Sequence, residues 1–169
     1  MSIGRPGLAA FNAMQRDKAY RLARTWLDVP RWADFLSVTR PFADVGELEA
    51  TMVSASATIT DKELEQALAR HPRIGERADA ALHDAEHSTR EQSGVDREDA
   101  EVTRRLEEGN RAYEQRFGRV FIIRAAGRDA AEILEQLRLR LDNSDEDERA
   151  ETITQLTQIA VLRMKETLS

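Results

Sequence analysis

Apolar side chains recur at three- and four-residue intervals along most of this 169-residue chain, and stretches of strict alternation are almost absent. That period turns one face of a helix toward a core. Residues 8–28 read as one or two helices, with Leu8, Phe11, Met14, Tyr20, Leu22, Trp26 and Leu27 as apolar anchors. "RPFAD", residues 40–44, reads as a turn in which Pro41 fixes the backbone. A shorter helix is predicted over 45–56 and another over 61–70. The second follows Thr60, with Glu63 three residues on, in the form of a capping box. Leu64, Ala67 and Leu68 mark its apolar face, and Pro72 disfavours the α conformation at His71, so the helix is expected to stop there.

The pattern weakens over 73–94, a polar stretch bounded by Gly75 and Gly94, where a short helix is expected around 77–87. It returns over 97–117, a long helix that Asp96 can cap and that Gly118 ends. "RVFIIRAAGR", 119–128, is a short apolar connector that reads either as extended chain or as the start of a helix. Residues 129–142 form the next helix, with Ile133, Leu134, Leu137 and Leu141 on one side. The charged turn "DNSDEDE" then leads into a last helix, 146–168, which Ser144 or Asp145 can cap. Its apolar positions are Ile153, Leu156, Ile159, Ala160, Leu162 and Met164. No internal repeat and no linker divides the chain. The expectation is an all-α protein, one domain over 1–169, built as a bundle of about eight helices.

Composition narrows the class. Hydrophobic residues make up 41% and charged residues 33%, the balance of a globular protein. The net charge of −6 argues against nucleic acid as a partner, because phosphate contacts need a basic surface. With no cysteine, disulfides, thiolate metal sites and a cysteine nucleophile are excluded. No run reaches the length of a membrane span, and "MSIGRPGLAAFNAMQ" lacks the apolar core of a signal peptide. The C-terminal "TLS" is not a peroxisomal address. The cytoplasm is the expected compartment.

Four constellations could carry chemistry. His83 and His87, in "HDAEH", lie four apart and would share a helix face, in the form of an inverted zinc-protease motif. No third ligand is identifiable, and a solvated face explains them as well. Ser88, Glu91 and Gln92 offer a hydroxyl, a carboxylate and an amide within one turn. They suit a small ligand rich in N–H and C=O groups, or else a second capping box. The connector offers main-chain groups which, outside a helix, can bond a ligand, while Tyr113, Phe117, Phe121, Ile122 and Ile123 serve as core. In "LRLRLDN" Arg138 and Arg140 point in different directions, so one can face inward as an anion clamp and the other pair at the surface. His71 adds an imidazole at a helix end, where the dipole favours its protonated form.

The order and spacing of these pieces carry more than any one of them. "HPRIGER" at 71–77, then Ser88-Glu91-Gln92, then "GNRAYEQRFGRVFIIRAAGR" at 109–128, then "EILEQLRLRLDN" at 132–143, resembles the OHCU decarboxylase family (2-oxo-4-hydroxy-4-carboxy-5-ureidoimidazoline decarboxylase). "PRWADFL" at 30–36, "RPF" at 40–42 and "QIAVLRM" at 158–164 extend the resemblance over nearly the whole chain. It implies an all-α homodimer that needs no cofactor and no metal. It also implies the last step from urate to (S)-allantoin, with OHCU as substrate and (S)-allantoin as product. By motif, His71 matches the catalytic histidine and Glu91 the catalytic carboxylate. Pro72, Ser88 and Gln92 match substrate-contacting positions. Phe121, Ile122, Ile123, Arg124 and Ala125 match the segment whose backbone lines the pocket, and Arg140 matches the arginine facing the substrate. His83 and His87 match no functional position. Two rivals remain: a helical module that binds a ureide without turnover, and a zinc hydrolase.

Overall fold

In a computed structural model, residues 6–71, 73 and 100–168 can be described. Those residues form eight α-helices and no strand. They are α1 (Leu8–Ala13), α2 (Arg16–Trp26), α3 (Pro30–Thr39), α4 (Val45–Ser56), α5 (Asp61–Leu68), α6 (Ala100–Phe117), α7 (Ala130–Leu141) and α8 (Asp145–Leu168). The all-α expectation holds for them. The chain divides into two compact units, one built from Met1–Ala67 with Ile153–Ser169, the other from Leu68–Thr152.

The first unit is centred on Phe11, Trp26, Trp32, Leu36, Leu48 and Met52, each at most 1% exposed. Of the anchors expected in 8–28, Phe11, Trp26 and Leu27 are buried, whereas Leu8, Met14, Tyr20 and Leu22 are only partly so. The buried stripe of α2 is Ala19, Ala23 and Trp26. Two of its three members are alanines, and α2 packs against α3. Apolar spacing alone does not announce α3. Pro30 opens it at the first turn, where a missing N–H costs nothing. The chain then turns at 40–44, where the Arg40–Pro41 peptide bond is cis. Asn12 clamps Phe42 there through its Nδ2 to the carbonyl and its Oδ1 from the N–H, both at 2.9 Å. The capping box of α5 forms as expected: Thr60 N–H donates to Glu63 Oε1 at 2.9 Å, and Glu63 N–H to Thr60 Oγ1 at 3.2 Å. α5 is shorter than predicted and ends at Leu68 rather than residue 70.

The second unit packs α6 against α7 around Leu106, Tyr113, Phe121, Ile123, Ala125, Ile133 and Leu137. Gly109 makes the close approach possible, since a Cβ there would lie 2.3 Å from Leu137 Cδ2. Gly118 ends α6 with φ +71, the left-handed conformation that glycine adopts at low cost. Asp129 caps α7 by accepting from Glu132 N–H at 2.8 Å. Of the two candidate caps for α8, Ser144 is the one used, its Oγ accepting from Asp147 N–H at 3.1 Å. The connector between α6 and α7 lies outside any helix and is not the start of one, since α7 begins only at Ala130.

Candidate active site

His71 follows α5 after a two-residue turn, and its N–H donates to Leu68 O at 3.0 Å. The tightened last turn leaves the imidazole half-buried, three residues beyond the last helical residue. Arg73 forks onto Glu114 of α6, with Nη2 donating to Oε2 at 3.0 Å and Nε to Oε1. This two-point contact ties the chain just after His71 to α6 within the same unit.

The connector has a main chain with few internal partners. Phe121, Ile122 and Ile123 are 0%, 2% and 2% exposed, and their side chains fill the core. Among the described residues, their three main-chain N–H groups donate no hydrogen bond. Buried N–H groups are nearly always paired in native proteins, so three in succession mark a stretch suited to an acceptor-rich ligand. The connector closes with a turn in which Arg128 N–H donates to Ala125 O at 3.1 Å and Arg128 Nε to Arg124 O at 3.0 Å. Gly127 supplies the positive φ of +80 that this turn requires.

Of the two arginines in α7, Arg140 is the inward one. It lies on the helix stripe of Ile133 and Leu137 and is 3% exposed, whereas Arg138 pairs at the surface with Glu135. Arg140 donates from Nε and Nη2 to Glu148 Oε1 at 2.8 and 2.5 Å, and from Nη1 to the carbonyl of Ile122 at 2.7 Å. Its guanidinium carbon sits 4.6 Å from the Phe121 ring centroid and 5.9 Å from that of Tyr113. Arg140 and the Ile122 end of the connector are therefore brought together. The guanidinium meets a main-chain acceptor on one edge and a carboxylate on the other.

Glu148 is fully buried. It also accepts from Tyr113 Oη at 2.5 Å and from Asn143 Nδ2 at 3.0 Å. Burial, and then the bond to this carboxylate, push the Tyr113 phenol above its ordinary value, so it stays a protonated donor. Within "DNSDEDE" Glu148 reads as one more surface acid. The signal that finds it is the apolar stripe of α8: four residues back from Leu156 is Thr152, and four further is Glu148.

Pro72, Ser88, Glu91 and Gln92 lie outside the described residues, as do His83 and His87. Among the described residues no group of three histidine, aspartate or glutamate side chains is arranged to hold a metal. No described helix is long and apolar enough to cross a membrane.

Comparison with known proteins bears on the chain as a whole. The family model described as OHCU decarboxylase matches residues 12–165. A curated relative, the uric acid degradation bifunctional protein of Bacillus sp. (strain TB-90), is 22% identical over 160 residues, which is 94% of this chain and 32% of the relative. The chain thus spans about a third of that protein's length. A crystal structure of OHCU decarboxylase in the presence of (S)-allantoin superposes with a TM-score of 0.72 at 24% identity, covering 92% of this chain and 99% of the other. One of (S)-allantoin synthase gives 0.71 at 15% identity, covering 96% and 54%. At such identities the two structures speak for the fold.

Proposed function

The chain belongs to the OHCU decarboxylase family, and from that premise we propose that it decarboxylates OHCU to (S)-allantoin in urate breakdown, as a cytoplasmic homodimer. The observation that carries the reading is the family match over 12–165, which spans both compact units and includes the described positions His71, Phe121–Ala125 and Arg140.

The chemistry needs no cofactor in principle. The carbon that loses its carboxylate bears a hydroxyl and adjoins a ring carbon doubly bonded to nitrogen. When the bond to the carboxylate breaks, carbon dioxide leaves. Its electron pair forms a carbon–carbon double bond, and the C=N pair moves onto nitrogen, which takes a proton. The C=N is thus a built-in electron sink. The resulting enol then loses its hydroxyl proton to become a carbonyl while the neighbouring carbon gains one. His71 is the acid/base of these transfers, suited by a side chain that exchanges protons near neutral pH. Glu91 orients it, or holds the substrate hydroxyl and ureido N–H groups.

Pro72, Ser88 and Gln92 contact the substrate in this reading. The N–H groups of the 121–125 connector stabilise negative charge that builds on ring and carbonyl oxygens. Arg140 serves at one end of that segment. Its charge is already met by Glu148, so it contributes as an oriented donor more than as a bare cation. Delivery of the proton from one face gives a single enantiomer.

The test generates the substrate from urate with upstream enzymes and follows its decay together with the optical rotation of the product. Acceleration over the spontaneous reaction with one enantiomer formed is the expected result. Tight binding of allantoin without turnover points instead to a ureide-binding module. His71→Asn should lower the rate by at least about a hundredfold, the scale of a general acid/base. Full decarboxylation with intact stereochemistry in that variant removes His71 from the role.

A further inference from the structure

We propose that Glu148 is a positioning residue for this reaction: acting through Arg140, it holds the Ile122 carbonyl and thereby aims the N–H of Ile123 at the substrate. The proposal rests on the reading that the connector's main chain faces the ligand.

In a trans peptide the carbonyl of one residue and the N–H of the next point in opposite directions within one rigid unit. Arg140 Nη1 holds the Ile122 carbonyl at 2.7 Å. The Ile123 N–H therefore points away from Arg140, and it cannot turn unless that bond breaks. It sits in a residue only 2% exposed and donates to no acceptor among the described residues. One clamp thus fixes the direction of one buried donor that has no acceptor among the described residues.

Glu148 fixes the clamp. Four of the five guanidinium hydrogens of Arg140 are accounted for: one by Ile122 O, two by Glu148 Oε1, and one by Thr152 Oγ1 at 3.4 Å. The carboxylate is itself held from both sides, by Tyr113 on Oε1 and Asn143 on Oε2. Remove the carboxylate's charge and the guanidinium loses the partner that sets its tilt. The Ile122 carbonyl then has a looser anchor, and the Ile123 N–H a wider cone. A donor aimed at charge that develops in the transition state acts on kcat, whereas one that binds ground and transition states alike acts on KM.

The experiment measures kcat and KM for wild type, Glu148→Gln, Tyr113→Phe and Arg138→Ala, with the Ile123 amide resonance followed by NMR. Glu148→Gln keeps the shape and removes the charge. It should lower kcat about tenfold or more, KM should stay within about twofold, and the Ile123 amide should shift and exchange faster. Tyr113→Phe removes one bond to Glu148 and should show the same changes on a smaller scale. Arg138→Ala, a surface change on the same helix, should match wild type. A merely structural role would lower the melting temperature and leave kcat per folded molecule and the Ile123 amide where they were. If Glu148→Gln does not fold, Tyr113→Phe decides. An inactive wild type sinks the decarboxylase reading and this proposal with it. An active wild type whose folded variants keep wild-type kcat and an unmoved Ile123 amide sinks the proposal alone.

Discussion

Two arginine–glutamate pairs, one in each compact unit, use the same two guanidinium nitrogens, but one forks onto both carboxylate oxygens and the other converges on a single oxygen. In the first unit Arg31 forks onto Glu63, with Nε to Oε2 at 3.1 Å and Nη2 to Oε1 at 2.9 Å, and with the Arg31 side chain 54% exposed. In the second, Arg140 meets Glu148 with side chains 4% and 0% exposed. The first pair trades hydration for contact and nearly breaks even. The second has surrendered its hydration altogether, so each partner depends on the other and on the groups around both. A pair at the surface can be lost one member at a time. A buried pair cannot, and it holds its neighbours in place for the same reason.

Breaking the buried pair should give the largest effect. Glu148→Ala leaves a guanidinium in the core with no counter-charge, and should cost about 3–5 kcal/mol in denaturant unfolding. The double variant Arg140→Met/Glu148→Leu should lose less than either single change, because no charge is left stranded. Double-variant losses that simply add would show that the two side chains do not act as a unit.

Tyr113→Phe comes next, at about 1.5–3 kcal/mol for a hydrogen bond to a buried carboxylate. It also carries a signature in pH. The folded state holds the phenol's proton more tightly than the unfolded chain, whose value is near 10.0. Its contribution is complete below that value and fades as pH rises toward the higher folded one, where keeping the proton no longer favours folding. Wild type should therefore lose stability above about pH 10 more steeply than Tyr113→Phe. Parallel alkaline curves would mean that the phenol is not held as the structure has it. Gly109→Ala disturbs the same region without touching a charge: its Cβ would press on Leu137, which is 2% exposed and has nowhere to go. A loss of about 1–3 kcal/mol is expected, read from the unfolding midpoint.

The same contrast shows what the sequence could reveal. Helix period gave the all-α class, the long helices and the caps at Thr60 and Gly118, because each of these depends on neighbours within a few positions. α3 escaped because its buried face mixes Trp32 and Leu36 with Ala33 and Ser37, which do not stand out as an apolar stripe. At Arg140 the spacing allowed either arginine to turn inward, and only packing against Ile133 and Leu137 decides which. Glu148 was hidden for a deeper reason. Its partners are Tyr113, 35 positions away, and Arg140, which in turn donates to the Ile122 carbonyl from a third segment. The motif order 71–128, by contrast, was legible as a family pattern, and the family match over 12–165 agrees with it. For Pro72, Ser88, Glu91 and Gln92 the motif remains the whole of the argument.

The smallest effect belongs to the surface pair. Arg31→Ala removes a fork onto Glu63 and the bonds that Nη1 and Nη2 make to Thr58. The expected loss is about 0.2–1 kcal/mol, shrinking as salt is added, since water and ions replace most of what the arginine supplied. Glu63 should keep a residual dependence on acid. Its carboxyl is held below the usual 4.5 first by Arg31 and then by the capping bonds from Thr60, against an opposing cost of burial. That contribution is present above the unfolded value and is lost as pH falls through the folded one, so it matters below about pH 4.5 and not near neutrality. In Arg31→Ala the acid limb should flatten without vanishing, because Thr60 N–H still favours the charged form. Followed at the Glu63 carboxyl itself by NMR titration, a return to the ordinary value in Arg31→Ala would mean the capping box adds nothing, and no change would mean that Arg31 adds nothing. Either result would change the account of the surface pair and leave the buried one standing, since no residue is common to the two networks.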